Sequence, residues 1–228
     1  MKIMNANKRI ITAILALILA LSAVFSISGC SQLSALKGLS DAVNDLQKYQ
    51  DAVAKLTDYK ITMESTDESG NKTTMTEMRC DKGYELNTQD SITYVEYGKG
   101  KMYMLNPSDK TGYSYAIASD DTYKSFGSML SLYLYAFEVY RYMGAAKSGT
   151  DKIAGRKTTC YKYTDTSSGT DYKFWIDDEY GLTLKSTTKT GTGTSTMEIT
   201  EFKTKGVSLS DMVKIGDYTI QDTNAAAN

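Results

Sequence analysis

YKITMES (59–65), TTMTEMRC (73–80), YELNT (84–88), SITYVEYG (91–98), KMYML (101–105) and GYSYAIA (112–118) alternate apolar and polar residues. A period of two places successive side chains on opposite faces of a pleated strand. Turn-forming residues separate the runs: Asp67-Glu68-Ser69-Gly70-Asn71, Asp81-Lys82-Gly83, Gly98-Lys99-Gly100 and Asn106-Pro107-Ser108-Asp109. Links this short leave no room for the crossover that a parallel pair needs, so the stretch predicts an antiparallel meander. KTTCYKYTD (157–165), DYKFWID (171–177), LTLKSTT (182–188) and STMEITEFK (195–203) resume the pattern, and DYTIQ (217–221) is placed as a closing edge.

Two stretches break the period. Over residues 31–57, Leu33, Leu36, Leu39, Val43, Leu46, Val53 and Leu56 recur at three- and four-residue spacings, which predicts an amphipathic helix; lying on the membrane, pairing with a partner and docking on the protein's own sheet all stand, with docking favoured. Over residues 120–146, Tyr123, Phe126, Leu130, Tyr133, Phe137 and Tyr140 line one helical stripe, with Asp120 or Asp121 as N-cap and Gly144 near the stop. A sheet of about ten strands tends to curl, and its concave face needs a cover. The fold class expected is therefore α+β: one large curved antiparallel sheet with helices on its concave face. Whatever the helices leave uncovered would be an apolar pocket.

The N-terminus reads as an export signal. Lys2, Lys8 and Arg9 precede an unbroken apolar run from Ile10 to Phe25, short for a membrane span, and the run ends at Ile27-Ser28-Gly29-Cys30. That tetrad resembles the bacterial lipobox. The resemblance implies a diacylglyceryl group on the Cys30 thiol, cleavage before it, and lasting attachment by two or more acyl chains. The organisation expected is a signal peptide over 1–29, a lipidated N-terminus and helix over 30–57, the sheet with its inserted helix over 58–220, and a frayed tail over 221–228. Location is then extracytoplasmic at a membrane's outer face, and the lysine-rich composition favours a Gram-positive plasma membrane.

Composition excludes several function classes. There is no histidine, which removes the commonest general base and metal ligand together. Lysine and arginine number 26 and acids 27, spread along the chain with no basic stripe, so nucleic acid is not an expected partner. No nucleophile motif, metal set or cofactor is implied. Asp177-Asp178-Glu179 lacks the alternation of a calcium loop and reads as an acidic hairpin turn. Gly191-Thr192-Gly193 has no phosphate-loop lysine in place. Cys80 and Cys160 remain once Cys30 is lipidated; they can bridge outside the cytoplasm or stand apart as buried thiols. Phe126, Met129, Leu130, Tyr133, Leu134 and Phe137 are the candidate cavity residues. A cavity wall and a packed core both need apolar residues at helical spacing, so both readings stand.

A local stretch carries a further resemblance: Gly155-Arg156-Lys157, Tyr161-Lys162-Tyr163, Tyr172-Lys173-Phe174-Trp175-Ile176-Asp177 and Tyr180-Gly181-Leu182-Thr183-Leu184-Lys185-Ser186. With the layout of residues 41–220, it is similar to the lipoprotein-carrier superfamily of LolA, LolB, LppX-type and RseB-type proteins. The resemblance implies an unclosed β-barrel over a helical plug, holding a lipid or acyl chain or sensing a peptide there. A soluble carrier must leave the membrane, whereas this chain is itself anchored, which points to a stationary holder. The expected function is a membrane-anchored binder of a hydrophobic ligand, not an enzyme. The alternative is an envelope sensor that acts on a membrane-protein partner and has no small-molecule cargo.

Overall fold

The computed structural model describes residues 48–49, 51–124, 141 and 144–223, all within one compact unit, Ala42–Asn228. The strands are β1 (Tyr59–Thr66), β2 (Lys72–Cys80), β3 (Gly83–Thr88), β4 (Ile92–Glu96), β5 (Lys101–Asn106), β6 (Thr111–Ala116), β7 (Ala146–Ile153), β8 (Arg156–Asp165), β9 (Thr170–Asp177), β10 (Thr183–Lys189), β11 (Thr194–Lys203) and β12 (Thr219–Asp222). They form one sheet in the order β12-β6-β5-β4-β3-β2-β1-β11-β10-β9-β8-β7. The two ends, β12 and β7, do not pair with each other, so the sheet is open. It consists of two local meanders, β1 to β6 and β7 to β11, joined where β1 lies against β11 with Ile61 opposite Phe202.

Twelve strands replace the expected ten or so, and two of them carry corrections. Residues 146–153 (AKSGTDKI) form an edge strand, whereas the helical stripe predicts a helix that reaches 146. Seven of its eight residues are exposed, so no apolar alternation marks it. Its hairpin with β8 turns on Ala154 and Gly155, both at positive φ (48° and 77°), with Ile153 opposite Arg156. Two consecutive left-handed residues match the twist of a two-residue hairpin. Gly144, also at positive φ (98°), donates its N–H to the Arg141 carbonyl at 3.1 Å.

The second correction concerns β12, which pairs parallel with β6, Thr219 opposite Thr111, so the sheet is not wholly antiparallel. The chain reaches β6 through a strap over residues 204–218 that contains the 3-10 turns Leu209–Asp211 and Ile215–Asp217. Val207 and Met212 are buried on the strap, and with Leu209, Val213 and Ile215 they pack over Met78, Cys80, Tyr94 and Tyr103. Each fully buried side chain of this kind contributes about 1.5–3 kcal/mol relative to exposure. Polar ties hold the strap at its start and at its middle. Asp58 Oδ2 accepts the N–H groups of Gly206 and Val207, and Glu85 Oε2 accepts the Val213 N–H at 2.6 Å.

The main core lies on the opposite face, over the seam. Tyr59, Ile61, Leu182, Leu184, Ile199 and Phe202 are buried there with Leu56, and Tyr49 and Val53 pack against them. The described helical residues 48–49 and 51–54 therefore dock on the sheet, and the rest of the predicted 31–57 helix lies outside the described residues. Gly181 (φ 66°) lies under the Tyr49 ring so closely that a Cβ there would come within 2.2 Å of Tyr49 Cγ.

Candidate functional site

Residues opposite each other in the strand pairings share a face, so the register assigns each row. On the face that carries the main core, β1 presents Tyr59, Ile61, Met63 and then Ser65; β2 presents Arg79, Glu77, Met75 and then Thr73. On β11 the order is Phe202, Ile199, Met197 and then Ser195, and on β10 Leu184 gives way to Ser186 and Thr188. Three of these four adjacent strands change to hydroxyl side chains on the rung of Thr73, Ser65 and Ser186, where β11 still carries Met197, and β11 follows one rung later with Ser195 opposite Thr188. The hydroxyl end forms a cleft of about 350 Å³ lined by Ser65, Thr73, Ser186, Thr188, Ser195 and Met197, with the β1–β2 turn at its rim. Asp67 of that turn accepts from Ser69 N (2.8 Å), Asn71 N (2.9 Å) and Asn71 Nδ2 (2.7 Å). The Asn71 side chain leads in holding the Asp67 carboxyl below its ordinary value, so the acid stays ionised and is spent on the turn.

Toward β6 the same face carries Leu86, Met102, Met104, Tyr113 and Tyr115. Met104 and Tyr113, directly opposite one another, are 45% and 47% exposed, the exposed large apolar side chains among the described residues. The helical turn Asp121–Lys124 meets this wing: Tyr123 Oη donates to Met102 Sδ at 3.0 Å. Arg79 donates to the carbonyls of Leu56 (3.3 Å) and Lys124 (3.4 Å), so one guanidinium ties the link before β1 to the turn Asp121–Lys124. Beside it Glu77 is fully buried and accepts the Tyr59 hydroxyl at 2.5 Å. Burial pushes the neighbouring phenols up, Tyr97 to about 12, and among the described residues the Tyr97 hydroxyl is buried with no hydrogen-bond partner.

The acidic turn at 177–179 has a structural task. Arg156 grips the Asp177 carboxylate with two bonds, Nε to Oδ2 at 2.5 Å and Nη2 to Oδ1 at 3.1 Å, and Nη2 reaches Glu179 at 2.8 Å. Asp177 Oδ1 also accepts from Glu179 N (3.0 Å) and Tyr180 N (2.6 Å). The guanidinium lies 4.8 Å from the Tyr180 ring centre and 5.0 Å from that of Phe202. The residues that carry the family resemblance thus form a latch that closes the β9–β10 hairpin onto β8.

Cys80 and Cys160 are both free and buried, so the bridge is not formed. They belong to β2 and β8, with β1, β11, β10 and β9 between them. Five inter-strand steps are about 24 Å along the sheet, far beyond disulfide reach of about 7 Å between Cα atoms. Cys160 Sγ receives the Ser148 hydroxyl at 3.2 Å. Asp120 stands at the start of its helical turn, but its carboxylate accepts the Gly98 N–H at 2.6 Å and so fastens the β4–β5 turn. Among the described residues, no group of three or more Cys, Asp or Glu is placed to hold a metal ion.

Ile27-Ser28-Gly29-Cys30 and the cavity candidates Phe126, Met129, Leu130, Tyr133, Leu134 and Phe137 lie outside the described residues. The sequence alone does not single out the hydroxyl row. Its signal there is that Ser65, Thr73, Ser186 and Ser195 each stand two residues from an apolar one.

No family model matches the chain, and no curated protein matches it. Among solved structures it is similar to MucB in complex with MucA(peri), at 16% identity and a TM-score of 0.41, over 75% of this chain and 57% of that one. It is similar to an uncharacterized conserved protein from Thermus thermophilus, at 8% identity and a TM-score of 0.42, over 78% and 99% of the two chains. It is also similar to the Mycobacterium tuberculosis lipoprotein LppX, at 12% identity and a TM-score of 0.35, over 74% and 98%. The chain spans 57% of the MucB chain. With TM-scores below 0.5 and identities of 16% or less, these likenesses decide neither fold nor function for this chain.

Proposed function

We propose that this chain is a lipid-anchored extracytoplasmic protein that holds a hydrophobic ligand, a lipid or acyl chain, between one face of its open sheet and its helices. The observation that carries this reading is the alignment of Met63, Met75, Met197, Met102 and Met104 with Tyr113 on one face, where Met104 and Tyr113 keep nearly half their surface exposed. Methionine is unbranched and polarisable, so a methionine-rich surface adapts to flexible apolar chains of varied shape. The lipobox supports the anchor at Cys30, and a tether there favours a stationary holder over a shuttle, with Phe126, Met129, Leu130, Tyr133, Leu134 and Phe137 as the facing wall.

Full-length protein extracted from membranes tests this. Organic extraction followed by mass spectrometry is expected to release a lipid held without a covalent bond, distinct from the Cys30 acyl chains. The double variant Met104→Lys, Tyr113→Lys is expected to release several-fold less while its circular dichroism stays unchanged. Wild-type protein free of such lipid overturns the holder reading and favours the sensor that acts through protein contacts.

A further inference from the structure

The hydroxyl cleft has no part in holding an acyl chain, because a hydrocarbon gains nothing from Ser65, Thr73, Ser186, Thr188 and Ser195. The geometry points to a polar subsite at the end of the apolar face that takes an uncharged, polyhydroxylated headgroup, the glycosyl part of a glycolipid. This rests on the holder reading above and names the ligand class for the same face.

Three observations carry it. First, the five hydroxyls come from four adjacent strands, at about 5 Å between strands and about 7 Å along one. Each hydroxyl both donates and accepts, as a sugar hydroxyl does. Among the described residues none of the five bonds to another side chain, so their capacity faces the cleft. Second, the described lining contains no lysine or arginine, and its one charged residue, Asp67, stays ionised. The lysines of these strands sit on the other face, where Lys60 pairs with Glu201 and Lys185 with Glu198, both at 2.7 Å. A phosphate here would meet a carboxylate and find no counter-charge in the lining. Third, Met197 belongs to both the cleft and the rim of the apolar core, next to Met63. A headgroup over the hydroxyls therefore directs its chains onto the methionines, and about 350 Å³ is within the range of small-molecule sites.

The test uses the full chain in phosphatidylcholine nanodiscs, titrated with water-soluble dihexanoylglycerol that carries a glucosyl group, a phosphoglycerol group or no headgroup, and with methyl glucoside. Dissociation constants come from saturation-transfer NMR. The glucosyl lipid is expected to bind at least tenfold tighter than either of the other two diglycerides. The double variant Thr188→Val, Ser195→Ala, which keeps strand-compatible shapes, is expected to weaken glucosyl-lipid binding about tenfold and to leave the bare diglyceride unchanged. Ser195→Ala alone serves should the pair lower the thermal midpoint. Equal affinity for all three diglycerides, or tighter binding of the phosphoglycerol form, overturns the headgroup assignment and leaves the apolar-ligand reading standing. Methyl glucoside binding as tightly as the glucosyl lipid overturns the lipid assignment in favour of a free sugar. No binding of any diglyceride overturns both readings.

Discussion

Replacing Asp177 by alanine removes the acceptor of four hydrogen bonds at once: two from Arg156, one from Glu179 N and one from Tyr180 N. The pair is enclosed, with side-chain exposures of 18% for Arg156 and 1% for Asp177, so the guanidinium cannot simply return to water. Breaking a buried pair from one side costs about 3–5 kcal/mol, most of it the stranded partner charge. Glu179 still holds Nη2 and is itself exposed, which places the expected loss near the lower end of that range. Asparagine keeps an oxygen for the turn N–H groups but gives up the charge, so Asp177→Asn is expected to lose about half as much. The assay is urea unfolding of the full chain followed by tryptophan fluorescence, since Trp175 is the sole tryptophan and stands two residues from the substitution. At a slope of about 2 kcal/mol/M, a loss of about 3 kcal/mol moves the midpoint down by about 1.5 M. A shift below about 0.3 M with an unchanged slope would refute the latch.

Gly181→Ala is expected to lower the thermal midpoint by several degrees, because it forces a left-handed conformation on a residue with a Cβ and drives that Cβ into Tyr49. Adding Tyr49→Ala relieves the clash and should recover part of the loss. Burial leads in raising the Glu85 carboxyl above its ordinary value of 4.5. The folded chain thus takes up that proton more readily than the unfolded one; the stability so gained is fully present below about pH 4.5 and is lost as pH rises through the raised value. Glu85→Gln, which keeps an acceptor for Val213 N, is expected to flatten this segment of a melting-temperature profile between mildly acidic and neutral pH and to raise the midpoint at neutral pH. Because Cys80 and Cys160 are far apart and free, reductant should leave the thermal midpoint unchanged, and thiol titration after denaturation should find both; a single oxidised pair would contradict the strand order.

The meander over 59–118 is legible because its strands each bury one or both faces against something apolar, and turn residues mark the ends. β7 is not legible, since Lys147, Ser148, Thr150, Asp151 and Lys152 on an exposed edge have nothing to alternate against. The strap is hidden for another reason. Val207, Leu209, Met212, Val213 and Ile215 follow no single period, because 3-10 turns joined by extended links bring them onto the sheet. Arg156 and Asp177 stand out by resemblance, yet the bond between them spans 21 positions and comes only from the register of β8 against β9. The hydroxyl cleft escapes notice because its rungs come from two hairpins far apart in sequence. Ser65 and Thr73 look ordinary until Ser186, Thr188 and Ser195 stand beside them.

The seam between β1 and β11 also sets how the molecule assembles. Within each meander, neighbouring strands are sequence neighbours, so each half zips from short loops. The seam pairs Lys60 with Lys203 and closes the longest loop in the sheet. Loop-closure entropy makes such a contact slow to reach, while local hairpins form in microseconds. The main core over Tyr59, Ile61, Ile199 and Phe202 sits on that seam, so the burial of this core waits for the two halves to meet. Folding is therefore expected to show a rate-limiting docking step. Substitutions at Ile61 or Phe202 should slow it far more than equally buried changes within one meander, such as Val95 in β4.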